Sequence, residues 1–149
     1  MRFQALHRTA RRTLHAAAPP GDVFPLLCPV REREWVDGWE ADVLHSASGL
    51  AEPGCVFVAY PGSDHAATFV VTRHEPPRAI EFAIFDGALV QTLLIELAPA
   101  AGGTDMTWTR AYTATTAEGN AWIEANVPAA VEARLGALEG MMGRYLASR

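Results

Sequence analysis

The sequence contains no lysine, only two cysteines and no long apolar run. All twelve of its basic residues are arginine, and the acidic residues outnumber them to leave a net charge of -5. Because electrostatic binding to nucleic acid needs a basic face, this composition argues against nucleic acid as a partner. No apolar stretch approaches the roughly 18 residues of a membrane span, so we expect no stable membrane insertion.

The cysteine positions do not fit a disulfide scaffold or a metal site. Cys28 and Cys55 are best interpreted as two small buried apolar side chains. With His45 they supply three soft ligands, but no CxxC or HxxxH pair is present, so zinc is only a weak hypothesis. We therefore predict no metal site and no cofactor.

Catalytic signatures are also missing. The sequence contains no GxGxxG, P-loop, GxSxG or HExxH motif, so no reaction and no catalytic residue is identified by motif. What the chain does contain is apolar: half of its 149 residues are hydrophobic. A chain of this size buries roughly 68–70% of its unfolded surface, and we predict one folded domain over residues 1–149. The expected location is the cytoplasm.

The middle of the chain has the pattern of consecutive strands. Alternating or apolar runs bounded by Gly and Pro predict strands over residues 2–16, 38–46, 55–60, 67–73, 79–85, 89–97 and 104–113. A helix over the first of these is an open alternative. Asp86-Gly87 is a hairpin signal. Because no helical pattern alternates with these strands, the sheet is predicted to be antiparallel, with helices on one side.

Two short helical segments are predicted after the first strand. Asp22 is a suitable N-cap for a short helix that Pro29 ends. Residues 30–36 form either a second short helix or an irregular turn.

A long amphipathic helix is predicted at the end of the chain, over residues 115–146. Thr115 and Glu118 fit a capping box at its start. Pro128 predicts either a bend or a short first piece that ends before it, because proline removes one helical hydrogen bond.

Three glycines lie in the second half of that helix. Gly136, Gly140 and Gly143 each destabilise a helix by about 0.8–1 kcal/mol relative to alanine. They indicate either close packing against the sheet, which we favour, or local looseness where a ligand gains access.

This order of elements resembles the START/Bet v 1-like helix-grip superfamily, also called SRPBCC or polyketide cyclase/dehydrase. The best-matching segments are APPGDVFPLLCPVREREWVDGW (Ala18–Trp39) and TWTRAYTATTAEGN (Thr107–Asn120). The resemblance implies an α+β fold with a curved antiparallel sheet of about seven strands around a long C-terminal helix. It also implies a deep, mostly apolar cavity between them. Members bind lipids, sterols, polyketides or plant hormones, and some catalyse cyclisation or dehydration.

Candidate site residues follow from this cavity. Arg110 shares a strand face with Trp108 and Tyr112, so its guanidinium is a candidate anchor for a carboxylate or an enolate oxygen. His45 shares a predicted face with Trp39 and is a second candidate polar anchor. The apolar lining is predicted to comprise Trp39, Phe69, Phe82, Trp108, Tyr112, Trp122 and Met142.

Two further polar features have competing interpretations. Gln91 is either a hydrogen-bond donor to a ligand or a locally paired core amide. Glu32 and Glu34 lie beside Trp35 in a dense charged and aromatic segment. Pairing with neighbouring arginines in a solvated ion-pair network is the favoured interpretation of these acids.

The predicted function is binding or transport of a small hydrophobic ligand, such as a lipid, an aromatic molecule or a polyketide. The alternative is a cyclase or dehydratase, a lyase or isomerase in which Arg110, His45 or Tyr112 assists enolisation. A third hypothesis is a non-catalytic interaction protein, for example a homodimer formed through an exposed strand.

Overall fold

A computed structural model describes residues 2–149, which form one antiparallel sheet with helices on its concave side. The order across the sheet is β1-β7-β6-β5-β4-β3-β2. The strands are β1 (His7–Ala16), β2 (Ala41–His45), β3 (Val56–Ala59), β4 (Ala67–Glu75), β5 (Ala79–Phe85), β6 (Leu89–Ala100) and β7 (Gly103–Ala114). The predicted α+β helix-grip architecture is confirmed.

The helices lie before β2 and after β7. A short helix, α1 (Pro20–Val23), continues into a 3-10 turn at Phe24–Leu27, and a second 3-10 turn follows at Glu32–Glu34. The predicted second short helix is therefore a single turn. The C-terminal helices are α2 (Ala117–Asn126) and α3 (Ala129–Ala147).

The junction around Pro128 confirms one of the two predicted outcomes: a first helical piece ends before the proline. The predicted capping box is wrong by one residue. The N-cap is Thr116, whose side-chain oxygen accepts a hydrogen bond from the backbone N–H of Gly119 at 3.1 Å. The Thr115 hydroxyl instead donates to the carbonyl of Gly87 at 2.9 Å, which ties α2 to the β5–β6 turn.

The pairing register decides which side chains face the helices. Directly opposed residues of antiparallel strands share a face of the sheet. One concave row comprises Val43, Phe57, Phe69, Ile84, Gln91 and Tyr112. The next row comprises Val71, Phe82, Leu93, Arg110 and Ala10. Except for Val43 and Arg110, the side chains of both rows are buried.

Helix α3 packs along the edge strand β1. Glu132 and Glu139 accept hydrogen bonds from the backbone N–H groups of Arg11 at 3.3 Å and His15 at 2.6 Å. These carboxylates cover an edge that would otherwise present unpaired N–H groups. The Arg12 guanidinium crosses α3 at Gly136, where an added Cβ would lie 2.6 Å from Arg12 Cζ.

This close approach supports the packing interpretation for one of the three helical glycines. Gly140 and Gly143 are exposed, and a Cβ added to either would meet no atom closer than 3.6 Å. Neither one permits a close approach of another segment.

Other sequence expectations concern metals, thiols and membranes. Cys28 and Cys55 are both free and buried. Within residues 2–149, no three His, Cys, Asp or Glu side chains converge on a common point. None of the described helices is long and apolar enough to cross a membrane.

Candidate functional site

Arg110 projects from β7 into the concave interior. Its Nε–H donates to Gln91 Oε1 at 3.1 Å, and its guanidinium lies 5.7 Å from the centre of the Tyr112 ring. Because Gln91 opposes Tyr112 in the register, Arg110 and Gln91 are diagonal neighbours on adjacent strands. Gln91 therefore acts as the locally paired core amide of the two interpretations, and it positions the arginine.

The indole of Trp108 carries a buried donor with no partner. Trp108 is 4% exposed, and its Nε1–H makes no hydrogen bond within residues 2–149. The equally buried Trp35, by contrast, donates its Nε1–H to the Leu26 carbonyl at 2.7 Å. A buried donor left unsatisfied costs about 1–3 kcal/mol, so the Trp108 N–H is available to any acceptor that enters the interior.

A half-buried carboxyl group, that of Glu32, lies close enough to Arg110 to feel its charge. Burial raises its pKa well above the ordinary value, and the positive charge of Arg110 only partly opposes that shift. Among the described residues, the carboxyl makes no hydrogen bond, and it is too far from Arg110 for a direct ion pair. Glu32 is therefore held in conditions that favour the protonated acid.

The pKa of Arg110 is also shifted by its surroundings. Burial lowers the pKa of Arg110, while Tyr112 and Glu32 raise it and Arg134 lowers it further. Burial also raises the pKa of Tyr112. Arg110 and Glu32 are half-buried, and both side chains retain accessible surface. We call Glu32, Gln91, Trp108, Arg110 and Tyr112 the interior polar cluster.

An aromatic cluster covers the other half of the concave face. Phe57 and Phe69 stack with ring centres 4.7 Å apart, and each meets Phe82 edge-on at 6.0 Å. Trp39 lies edge-on to Phe57 and Phe69 at 6.5 Å. Its indole N–H donates to the Pro29 carbonyl at 2.9 Å, so this tryptophan is fully satisfied. We call Trp39, Phe57, Phe69 and Phe82 the aromatic cluster.

Most of the residues predicted to line a cavity are brought to the concave side. Trp122, on α2, packs against Tyr112 with ring centres 5.2 Å apart. Met142 lies buried on α3. The remaining ones belong to the two clusters: Trp39, Phe69, Phe82, Trp108, Arg110 and Tyr112. Their role in binding stays a prediction.

His45 lies elsewhere, contrary to the predicted alternation. Val43 opposes Phe57 on the concave face, but a register shift follows and His45 opposes Val56. Because Val56 lies on the face opposite to Phe57, the bulge turns His45 outward, where it is exposed. The imidazole is therefore not placed with Arg110, and we do not retain it as an anchor.

Sequence reasoning underestimated Glu32, although a signal was present. In a 3-10 turn, side chains three residues apart eclipse one another. Glu32 precedes the buried Trp35 by three residues, so its side chain lies on the same side of the turn and is half-buried. Glu34 faces out, where it pairs with Arg31 and accepts a hydrogen bond from the Tyr145 hydroxyl at 2.6 Å. The favoured solvated network exists only for Glu34.

Two clefts on the described surface lie outside both clusters. One cleft of about 350 Å³ is bordered by Pro29, Val30, Arg33, Ala41, Asp42 and Val43. Another, of about 520 Å³, is bordered mainly by charged side chains of β4–β7. Neither touches a predicted lining residue. The predicted deep cavity between the sheet and α3 stays a prediction.

The comparisons with known proteins support the family and the fold. A family model described as polyketide cyclase / dehydrase and lipid transport matches residues 7–143. No curated protein is similar in sequence.

Similar solved structures support the fold alone. A norcoclaurine synthase from Thalictrum flavum, solved as a point mutant with a transition-state analogue, has a TM-score of 0.70 at 12% identity and covers 99% of this chain and 98% of its own. A protein from Rhodobacter sphaeroides has a TM-score of 0.69 at 18% identity, with 97% and 99% covered. A protein from Mycobacterium smegmatis has a TM-score of 0.65 at 19% identity, with 98% of each chain covered.

Proposed function

We propose that this chain, which belongs to the polyketide cyclase / dehydrase and lipid transport family, binds a small and mainly apolar molecule between the concave face and α3. The observation that carries this proposal is a half-buried arginine on the concave side that has no direct carboxylate partner. Arg110 uses only its Nε–H within the described residues, and the other guanidinium nitrogens retain accessible surface. These free donors can pair with an anionic or carbonyl oxygen of a ligand that reaches the concave side.

The apolar part of the ligand would contact side chains that can move. Trp122, Leu138 and Met141 are only partly buried and pack at the margin of the core. Methionine is unbranched and adapts to irregular shapes, so Met141 is suited to a wall that opens around a ligand. On this proposal the site expands on binding instead of standing empty.

A binding assay tests the proposal directly. A panel of fatty acids, flavonoids and polyketide-like aromatics should quench tryptophan fluorescence and raise the melting temperature. A ligand at 100 times its Kd stabilises the folded state by about 2.7 kcal/mol, which is easily measured. No response to any member of the panel would contradict the proposal.

A matched pair of arginine variants separates the site from the surface. Arg110→Met should remove binding of ligands with an anionic or carbonyl group. Arg73→Met alters an exposed arginine of β4 that pairs with Glu75 at 2.7 Å, and it should bind as the wild type does. Equal loss in both variants would point to a general effect on the fold.

A second candidate function is cyclisation or dehydration of an oxo-containing chain in the same space, and Glu32 is the observation that favours it. Because the pKa of Glu32 is raised, its carboxylate would be a stronger base that removes an α-proton from the chain, Arg110 would stabilise the enolate that remains, and the protonated carboxyl would return the proton to the departing hydroxyl. Glu32→Gln should then abolish turnover of a poly-keto substrate while binding is retained. Turnover that survives in Glu32→Gln would exclude this role.

A further inference from the structure

We propose that the preferred ligand is an apolar monocarboxylate, and that Glu32 holds one proton while this anion is paired with Arg110. The inference rests on the binding function proposed above and specifies its ligand class. Three observations support it: the free donors around Arg110, the lack of a counterion, and the position of Glu32.

The donors are arranged for an anionic oxygen. Arg110 and Trp108 are successive inward-facing residues of β7, so both side chains project from neighbouring positions on the concave face. The terminal nitrogens of Arg110 are free among the described residues, and the Trp108 N–H has no acceptor. A carboxylate can accept two parallel hydrogen bonds from a guanidinium, which gives both strength and orientation.

The charged groups around Arg110 leave its positive charge without a partner when Glu32 is protonated. Arg110 faces Tyr112 of its own strand, Arg134 of α3, Asp86 of the β5–β6 turn and Glu32. On the Glu32 turn itself, the Arg31–Glu34 pair lies at the surface. With Glu32 protonated, the site carries the unpaired charge of Arg110 and accepts a monoanion. With Glu32 ionised, that charge is already opposed, and an entering anion would meet a second carboxylate.

Proton uptake follows from this balance. Above the pKa of Glu32, a bound carboxylate requires Glu32 to take one proton from the buffer, and the proton returns to the buffer when the ligand leaves. Affinity for the carboxylate should therefore fall by roughly tenfold per pH unit above that pKa. A neutral analogue binds without protonation of Glu32, so its affinity should not change with pH.

The apolar body of the ligand would be accommodated by the neighbouring rows. Leu93 lies directly opposite Arg110, and Phe82 follows in the same row. Both are buried. The anion would therefore sit at the polar end of a continuous apolar surface, which suits a long-chain or aromatic carboxylate better than a small hydrophilic acid.

The decisive experiment compares dodecanoate with 1-dodecanol, and naphthalene-2-carboxylate with naphthalene-2-methanol. Titration calorimetry in two buffers of different ionisation enthalpy measures the protons taken up between about pH 5 and about pH 9, a range above the ordinary carboxyl pKa. We expect uptake for the two carboxylates to rise from none to one proton with pH, and none for the alcohols. This measurement needs no variant.

Two glutamine variants test whether Glu32 is the group that takes up the proton. Glu32→Gln imitates the protonated acid, so carboxylate affinity should become independent of pH. Glu34→Gln, on the exposed side of the same turn, should keep the wild-type pH dependence. Retention of the pH dependence in Glu32→Gln would overturn the assignment of the proton to Glu32.

The failures of the two proposals are distinguishable. If acids and alcohols bind equally and without proton uptake, the apolar binding function stands and the carboxylate inference is wrong. If neither acids nor alcohols bind at any pH, both proposals are wrong. Preferential binding of the acids with uptake of one proton would support both.

Discussion

The two halves of the concave face differ in how completely their side chains are packed and hydrogen-bonded. The half formed by β3–β5 carries the three phenylalanines of the aromatic cluster, which contact one another, and Trp39 packs on them with its indole N–H satisfied. The half formed by β6 and β7 carries most of the interior polar cluster, with a guanidinium that lacks a counterion and an indole N–H that lacks an acceptor. The first half is complete without a ligand, whereas the second is not.

This difference separates stability from function on one surface. Natural sequences satisfy packing and hydrogen bonding almost everywhere, and departures concentrate at functional sites. The aromatic cluster is therefore expected to dominate the free energy of unfolding. The interior polar cluster is expected to make little or even unfavourable contribution to it and to decide what binds. Substitutions in the aromatic half should lower the free energy of unfolding, whereas substitutions in the polar half should leave it unchanged or raise it.

The largest expected effect is the loss of Phe57. This ring is 1% exposed and stacks on Phe69, so Phe57→Ala should lower the free energy of unfolding by about 3–5 kcal/mol. Urea denaturation measures the change. Phe85→Ala is the control, because Phe85 is 45% exposed and should change stability by less than about 0.5 kcal/mol. A small effect at Phe57 would mean that the aromatic half is not the stabilising one.

The sequence predicted the aromatic half better than the polar half, and the reason is physical. Phe69 and Phe82 lie on apolar strands whose alternation shows in the residue pattern, and any register that buries one face brings such rings together. Arg110 was found by the same alternation. His45 was misplaced because a bulge between it and Val43 reverses its face, and nothing in the local pattern marks that bulge.

Glu32 and the missing partner of Trp108 required three-dimensional information. Whether an acid in a turn of four charged residues points in or out depends on which neighbour the fold buries, here Trp35. Whether a buried indole finds an acceptor depends on strands distant in sequence. The family resemblance, by comparison, was carried by the order of elements and was confirmed over most of the chain.

A pair of tryptophan variants gives the next largest effect. Trp35→Phe removes a hydrogen bond to the Leu26 carbonyl and should destabilise the protein by about 1 kcal/mol beyond the loss of ring area. Trp108→Phe removes an unsatisfied buried donor instead, which relieves a cost of about 1–3 kcal/mol. The two substitutions delete the same atoms, so the difference between their unfolding free energies isolates the N–H. Equal losses would show that the Trp108 N–H is satisfied in solution.

The smallest and most specific effect is a contrast in pH dependence between Glu32 and Glu52. Burial raises the folded-state pKa of Glu32, so the folded protein holds a proton that the unfolded chain releases near its ordinary value. The free energy of unfolding should then fall as pH rises from the ordinary carboxyl pKa to the raised pKa of Glu32. Glu32→Gln should remove that fall. The pKa of Glu52 is shifted in the opposite direction. Hydrogen bonds from the Ser48 side chain and backbone and from the Ala47 backbone lower it to about 2.

For Glu52, stabilisation is present above the unfolded pKa and is lost as pH falls toward about 2. Glu52→Gln should therefore destabilise the protein at neutral pH and have no effect in strong acid. Urea denaturation of the wild type and both variants across this pH range measures the two differences. If Glu32→Gln behaves as Glu52→Gln does, Glu32 is ionised and paired in the folded state, and the polar half of the concave face is as complete as the aromatic half.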